Sequence, residues 1–222
     1  MMISEEYNII GETNLDRLRN KVSAMLAIKR GNFTRKELMG EGIKKYLYIK
    51  NNLSNGKYKD VYRVFYGLAR IGKTFCENYF KEMERLKADK DKITFKTIFE
   101  AISKERNETS FASKMLHTFK PEFPIWDRIV ATDHFGMKVP NKAEKEIVYD
   151  IYEKYVTRFN EYKSSDSGKE LINIFNEICD ELFDENFLNE NKPKTAITDT
   201  KKIDFLLWCC RPPKKPKQAR KE

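Results

Sequence analysis

Histidine is nearly absent from this chain of 222 residues: only His117 and His134 occur. The four cysteines, Cys76, Cys179, Cys209 and Cys210, form no CxxC pair. So few ligands at such spacing argue against a structural zinc site, and the scatter of the thiols argues against an iron–sulfur cluster. Free, buried thiols suit a reducing compartment, so the chain reads as cytoplasmic. No signal peptide is recognisable at its start, and the apolar run Leu206-Leu207-Trp208 is far too short to span a bilayer. Sustained period-2 alternation is also missing, which removes an extended sheet from consideration.

Apolar and aromatic content is ample. Hydrophobic residues make up 40% and aromatics 13%, enough for a folded core, and the length suits one large domain or two small lobes. The net charge is +9, and the segment Arg211 to Glu222 alone holds six Lys/Arg against one Glu. Residues 1–210 therefore read as the folded domain and 211–222 as a basic tail. A basic tail on a mildly basic body suits a polyanion such as nucleic acid, and equally suits a solvated chain end.

Helical spacing recurs nearly throughout. Leu15, Leu18, Val22, Met25 and Leu26 mark a first helix, and Leu38, Ile43, Leu47 and Tyr48 a second, interrupted at Gly40 and Gly42. Val61, Val64, Phe65 and Leu68 mark a third. Thr74 to Glu77 has the form of a capping box opening a fourth, as do Asn141 to Glu144 and Ser167 to Glu170 for two later helices. A short helix with apolar face Phe95, Ile98, Phe99 and Ile102 precedes one over 109–119. Another begins near Asp127, and Asp199 is placed to cap a last one containing Ile203, Leu206 and Leu207. The expectation is an all-α protein of about ten helices.

The stretch Gly67 to Thr74 fits the phosphate-loop pattern GxxxxGK[ST]. That loop needs a preceding strand and small interior residues, whereas here the upstream period is helical and the interior is Leu, Ala, Arg and Ile. A helix–turn–helix junction is the favoured reading.

The segment 109–130, TSFASKMLHTFKPEFPIWDRIV, is the most informative. It joins a helical run to a Pro-containing break and then to Asp127, an acid among Ile125, Trp126, Ile129 and Val130. From the residues alone Asp127 is either a helix N-cap or ion-paired acid beside Arg128, or a carboxylate held in a partly apolar cleft to stabilise a cation. Lys114 lies one helical turn after Ser110, and a lysine there is either a solvated or phosphate-contacting group or a nucleophile of lowered pKa.

This segment resembles the helix-hairpin-helix DNA glycosylases of the endonuclease III superfamily, and in particular their adenine-glycosylase branch. Ser110 falls at the family's Lys/Ser position, Ala112 matches its Ala, and Phe123-Pro124-Ile125-Trp126-Asp127 resembles the stretch ending in the catalytic acid. The likeness covers about residues 95–137. It implies a helical architecture in two lobes with a cleft between them. It also implies hydrolysis of the N-glycosidic bond of a damaged or modified base extruded from double-stranded DNA. Asp127 would stabilise the oxocarbenium-like transition state and activate water, with Ser110 and Lys114 beside it. Lys104, Arg106 and Arg128, with Trp126 and His117, would contact nucleic acid, the first two in place of the glycine-rich hairpin that Lys104 to Thr109 lacks. Core packing competes for Trp126 and His117, as it does for Phe123 and Tyr66. No metal or organic cofactor is implied, and a monomer is expected. The rival reading is a non-catalytic helical nucleic-acid-binding module; a third uses Gly67 to Thr74 in a nucleotide-dependent or protein-interaction role.

Overall fold

A computed structural model describes residues 8–89, 92–104, 107–140 and 142–211. The described residues are all-α, with eleven α-helices; 71% of them are helical and 2% are in strands. In order they are α1 (Leu15–Ala27), a hairpin of β1 (Lys29–Arg30) and β2 (Phe33–Thr34), α2 (Arg35–Asn52), α3 (Lys59–Phe65), a 3-10 turn (Leu68–Arg70) and α4 (Lys73–Lys87). Then follow α5 (Phe95–Ile102), α6 (Thr109–Phe119), a π-helical turn (Arg128–His134), α7 (Lys145–Ser164), α8 (Asp166–Leu182), α9 (Glu185–Asn191), α10 (Pro193–Ala196) and α11 (Asp199–Cys209).

α11 organises the molecule. Every residue from Thr200 to Leu207 is buried, and the helix packs against α8, α7, α2, α1 and the π-helical turn. A helix enclosed all round belongs in the interior of a core, yet this one carries Lys201, Lys202 and Asp204. Each charge finds a partner: Lys201 Nζ lies 2.6 Å from Asp204, and Lys202 Nζ lies 3.0 Å from Asp199. The buried apolar side chains form one continuous cluster. α5 and α6 pack against each other as a pair of helices joined by a short connection, and α4 packs on α5.

Several local expectations change. α2 runs unbroken through Gly40 and Gly42, because both face neighbours that approach closely. A Cβ on Gly40 would meet Leu182 at 3.2 Å, and one on Gly42 would meet Phe205 at 3.2 Å. α4 starts at Lys73 rather than at a Thr74 box; Gly72 is its N-cap, and no side chain caps it. α8 is capped by Ser165, whose Oγ accepts from Gly168 N–H at 3.1 Å. The Ser167 hydroxyl instead donates to the Glu12 carbonyl at 2.7 Å, so it is unavailable as a cap. α7 begins at Lys145 with Glu144 as N-cap and no side-chain cap bond; Asn141 lies outside the described residues. Thr198, not Asp199, caps α11. The Gly67 to Thr74 segment follows helix α3 and contains a 3-10 turn, so no strand feeds a phosphate loop there. Lys73 is exposed and pairs with Glu77. The β1–β2 hairpin was not expected, because two-residue strands carry no periodicity.

Candidate functional site

Pro121 and Pro124 force the chain out of helix after Phe119, since neither carries an N–H and each disfavours helical geometry before it. The extended segment that results has few backbone partners of its own, and its carbonyls are satisfied by side chains instead. Five in a row are pinned. Pro121 O accepts from Thr198 Oγ1 at 2.9 Å, Glu122 O from Thr200 Oγ1 at 3.2 Å, Phe123 O from His117 Nδ1 at 2.7 Å, Pro124 O from Tyr152 Oη at 2.9 Å, and Ile125 O from Tyr155 Oη at 3.0 Å. The Trp126 N–H then donates to Ser113 Oγ at 2.8 Å, and that hydroxyl donates to Ser110 O at 2.9 Å. Helices α6, α7 and α11 thus fix one segment, and it ends at Asp127.

Asp127 is extended and half-buried and caps the π-helical turn. Its Oδ1 accepts from Ile129 N–H at 2.8 Å. Its second carboxylate oxygen accepts no hydrogen bond from any described residue, and Arg128 is exposed without an ion-pair partner among them. One oxygen of Asp127 therefore caps the turn, and the other has no hydrogen-bond partner among the described residues. π-helical turns interrupt regular hydrogen bonding and concentrate at functional sites.

Lys114 is half-buried nearby. Its Nζ donates to Tyr66 O at 3.2 Å and lies 4.7 Å from the Phe111 ring centre. Burial pushes its pKa down, and the negative charge of Asp127 pulls against that shift. Behind them sits the Lys201–Asp204 pair, with side chains only 4% and 7% exposed. The Lys201 ammonium also faces the rings of Tyr46, Phe65, Tyr66 and Phe205, at 4.5 Å from the nearest. Burial raises the Asp204 carboxyl, Lys201 opposes that, and Asp127 and Lys114 are both within electrostatic range. Lys114 and Asp204 thus each lie within electrostatic range of Asp127, of Lys201 and of one another. Neither Lys201 nor Asp204 was expected in the site; a Lys-x-x-Asp spacing inside an apolar helix is the signal that marks them.

His117 and Trp126 are core residues, which corrects the expectation that they contact nucleic acid. His117 has no exposed surface, and both ring nitrogens are engaged. Nδ1 donates to Phe123 O, so Nε2 accepts from Tyr46 Oη at 3.2 Å. Burial, assisted by the charge of Lys201, drives its pKa down to about 3, so it is neutral. Trp126 packs edge-on against Tyr155 at 5.2 Å. Ser110 is half-buried in the first turn of α6, and its carbonyl accepts from the Ser113 hydroxyl. Lys104 is exposed and, with Glu108, borders a cavity of about 290 Å³ between α4 and the α5–α6 connection. Arg106 and residues 212–222 lie outside the described residues.

A second cationic group lies within electrostatic range of Asp127. Arg35 Nη1 donates to the Cys209 and Arg211 carbonyls at 3.0 and 2.7 Å, closing the end of α11. Arg211 stacks 4.8 Å from the Trp208 ring. Burial and the charges of Arg30 and Arg35 lower the Arg211 pKa, while Asp127 favours its charged form. Cations from α6 and from the end of α11 thus both lie within electrostatic range of the acid. The described residues hold no cluster of His, Cys, Asp or Glu able to bind a metal ion. No helix among them is long and apolar enough to cross a membrane. Comparison with protein families, with curated proteins and with solved structures finds no match to this chain.

Proposed function

We propose that this chain is a DNA glycosylase that hydrolyses the N-glycosidic bond of a damaged or modified base, with Asp127 as its catalytic carboxylate. The observation that carries the reading is the half-buried Asp127, held at the end of a segment pinned through five carbonyls and left with one free oxygen. N-glycosidic cleavage passes through a cation-like sugar. A fixed carboxylate stabilises that charge and orients a water, and fixing it in advance avoids reorganisation at the moment of reaction. The α5–α6 helix pair, Lys104 and Arg211 supply the surroundings for a polyanion, and the substrate base must leave the duplex to reach the acid. Lys114 is the nucleophile for strand cleavage if that chemistry follows.

The competing reading, a helical nucleic-acid-binding module, draws on the capping bond to Ile129 and on a cavity that borders Lys104 and Glu108 but not Asp127. Incubating end-labelled duplexes carrying modified bases with the protein and with Asp127→Asn separates the two. Abasic sites formed by the intact chain and lost in Asp127→Asn establish base excision. Equal DNA binding by both proteins, without abasic sites on any substrate, establishes the module instead.

A further inference from the structure

The β1–β2 hairpin projects an aromatic ring toward solvent. Phe33 is 55% exposed, and Lys29, Arg30, Gly31 and Asn32 around it are exposed as well. A single exposed phenylalanine is ordinary on any surface. This one has three further properties.

First, it is held rigidly. The strands pair Lys29 with Thr34 and Arg30 with Phe33 through the two-residue turn Gly31-Asn32, where Gly31 takes φ +66°. Glycine meets the positive φ that such a turn demands. The hairpin then runs directly into α2 through the Thr34–Glu37 capping box, and Arg35 N–H bonds Ile28 O at 3.0 Å. Second, residues opposite each other on paired strands share a face, so Arg30 and Phe33 present a cation and a ring together. Arg30 has no ion-pair partner among the described residues. Third, the hairpin is tied to the turn that bears Asp127. Arg35 at its base bonds the Cys209 and Arg211 carbonyls at the end of α11, and His134 Nε2 of the π-helical turn donates to Leu207 O at 2.8 Å on the same helix.

We infer that the hairpin is a polynucleotide-contacting finger. In it Phe33 stacks on a base while Arg30, Lys29 and Arg211 hold phosphates. The partner follows from the chemistry: a cation beside an exposed ring on a preformed element meets both parts of a nucleotide, the anionic backbone and the aromatic face. The inference rests on the nucleic-acid side of the proposed function but not on Asp127 acting as a catalyst.

The test measures anisotropy of fluorescein-labelled duplex and single-stranded oligonucleotides across a salt series, together with fluorescence of a 2-aminopurine in the strand. Phe33→Ala is expected to weaken binding about tenfold, to keep the salt slope and to abolish the 2-aminopurine change. Arg30→Ala is expected to weaken binding uniformly and to reduce the salt slope by about 1. Both positions are exposed, so folding is expected to be unaffected. Unchanged affinity and 2-aminopurine signal in Phe33→Ala overturn the inference and leave the glycosylase reading standing. Failure of the intact protein to bind any oligonucleotide overturns both. Binding to phosphatidylglycerol vesicles that is lost in Phe33→Ala while DNA binding persists overturns the choice of partner.

Discussion

The Tyr155 hydroxyl donates to the Ile125 carbonyl at 3.0 Å, two residues before Asp127. The same carbonyl also accepts from Asp127 N–H at 2.9 Å, so one oxygen carries both the anchor and the acid's own backbone. Tyr155→Phe therefore loosens Asp127 without leaving Ile125 O unpaired. Its expected cost in stability is about 1 kcal/mol, with kcat for base excision down about tenfold and KM unchanged. Tyr152→Phe strips Pro124 O of its Tyr152 bond and is expected to cost more, about 1–3 kcal/mol. Urea melts of both variants rank the two; equal losses would remove the distinction.

Asp127 divides its oxygens between capping and the open side, and substitutions separate the roles. Asp127→Asn keeps an acceptor for Ile129 N–H and is expected to change stability by less than about 0.5 kcal/mol while abolishing base excision. Asp127→Ala loses the cap too and is expected to cost about 1 kcal/mol. Thermal denaturation run beside the cleavage assay checks this. An Asn variant as active as the intact chain would sink the catalytic assignment.

The Lys201–Asp204 pair is almost fully enclosed, so breaking it differs from replacing it. Asp204→Leu leaves the Lys201 ammonium without its counter-ion and is expected to cost about 3–5 kcal/mol. Lys201→Met combined with Asp204→Leu is expected to recover most of that loss. Chemical denaturation of the two variants decides, and a double variant no more stable than the single one would contradict the account.

His117 imposes a pH dependence. Its imidazole is held at about 3 in the fold against 6.5 when unfolded. Between those values the unfolded chain binds the extra proton. The stability carried by neutral His117 is thus complete above pH 6.5 and is lost as pH falls toward 3, with a slope of up to about 1.4 kcal/mol per unit. His134, lowered by burial, acts in the same direction, while Asp204, raised by burial, acts in the opposite one. Comparing urea midpoints of the intact chain and His117→Asn from pH 7 to pH 4 isolates the His117 share. Parallel curves would show that His117 does not titrate this way.

Composition and periodicity alone determined the helical class, because an amphipathic helix writes its spacing into consecutive residues. α6 lies over Thr109–Phe119 as its pattern required, and α5 follows from Phe95, Ile98, Phe99 and Ile102. Asp127 stood out for a similar reason: an acid between apolar neighbours after two prolines is visible in a short window. Cap assignments at Thr74 and Ser167 missed because a box pattern does not say where the chain first turns helical, and Ser167 Oγ is drawn to Glu12, far away in sequence. Only the tertiary structure decided that His117 and Trp126 are interior, that Lys201 and Asp204 stand behind Lys114, and that Thr198, Thr200, Tyr152 and Tyr155 hold the acid's segment. Those relationships join residues from separate helices, and such contacts leave no local period. Side-chain bonds to a backbone carbonyl are especially silent, since a carbonyl is present at every position whatever the residue.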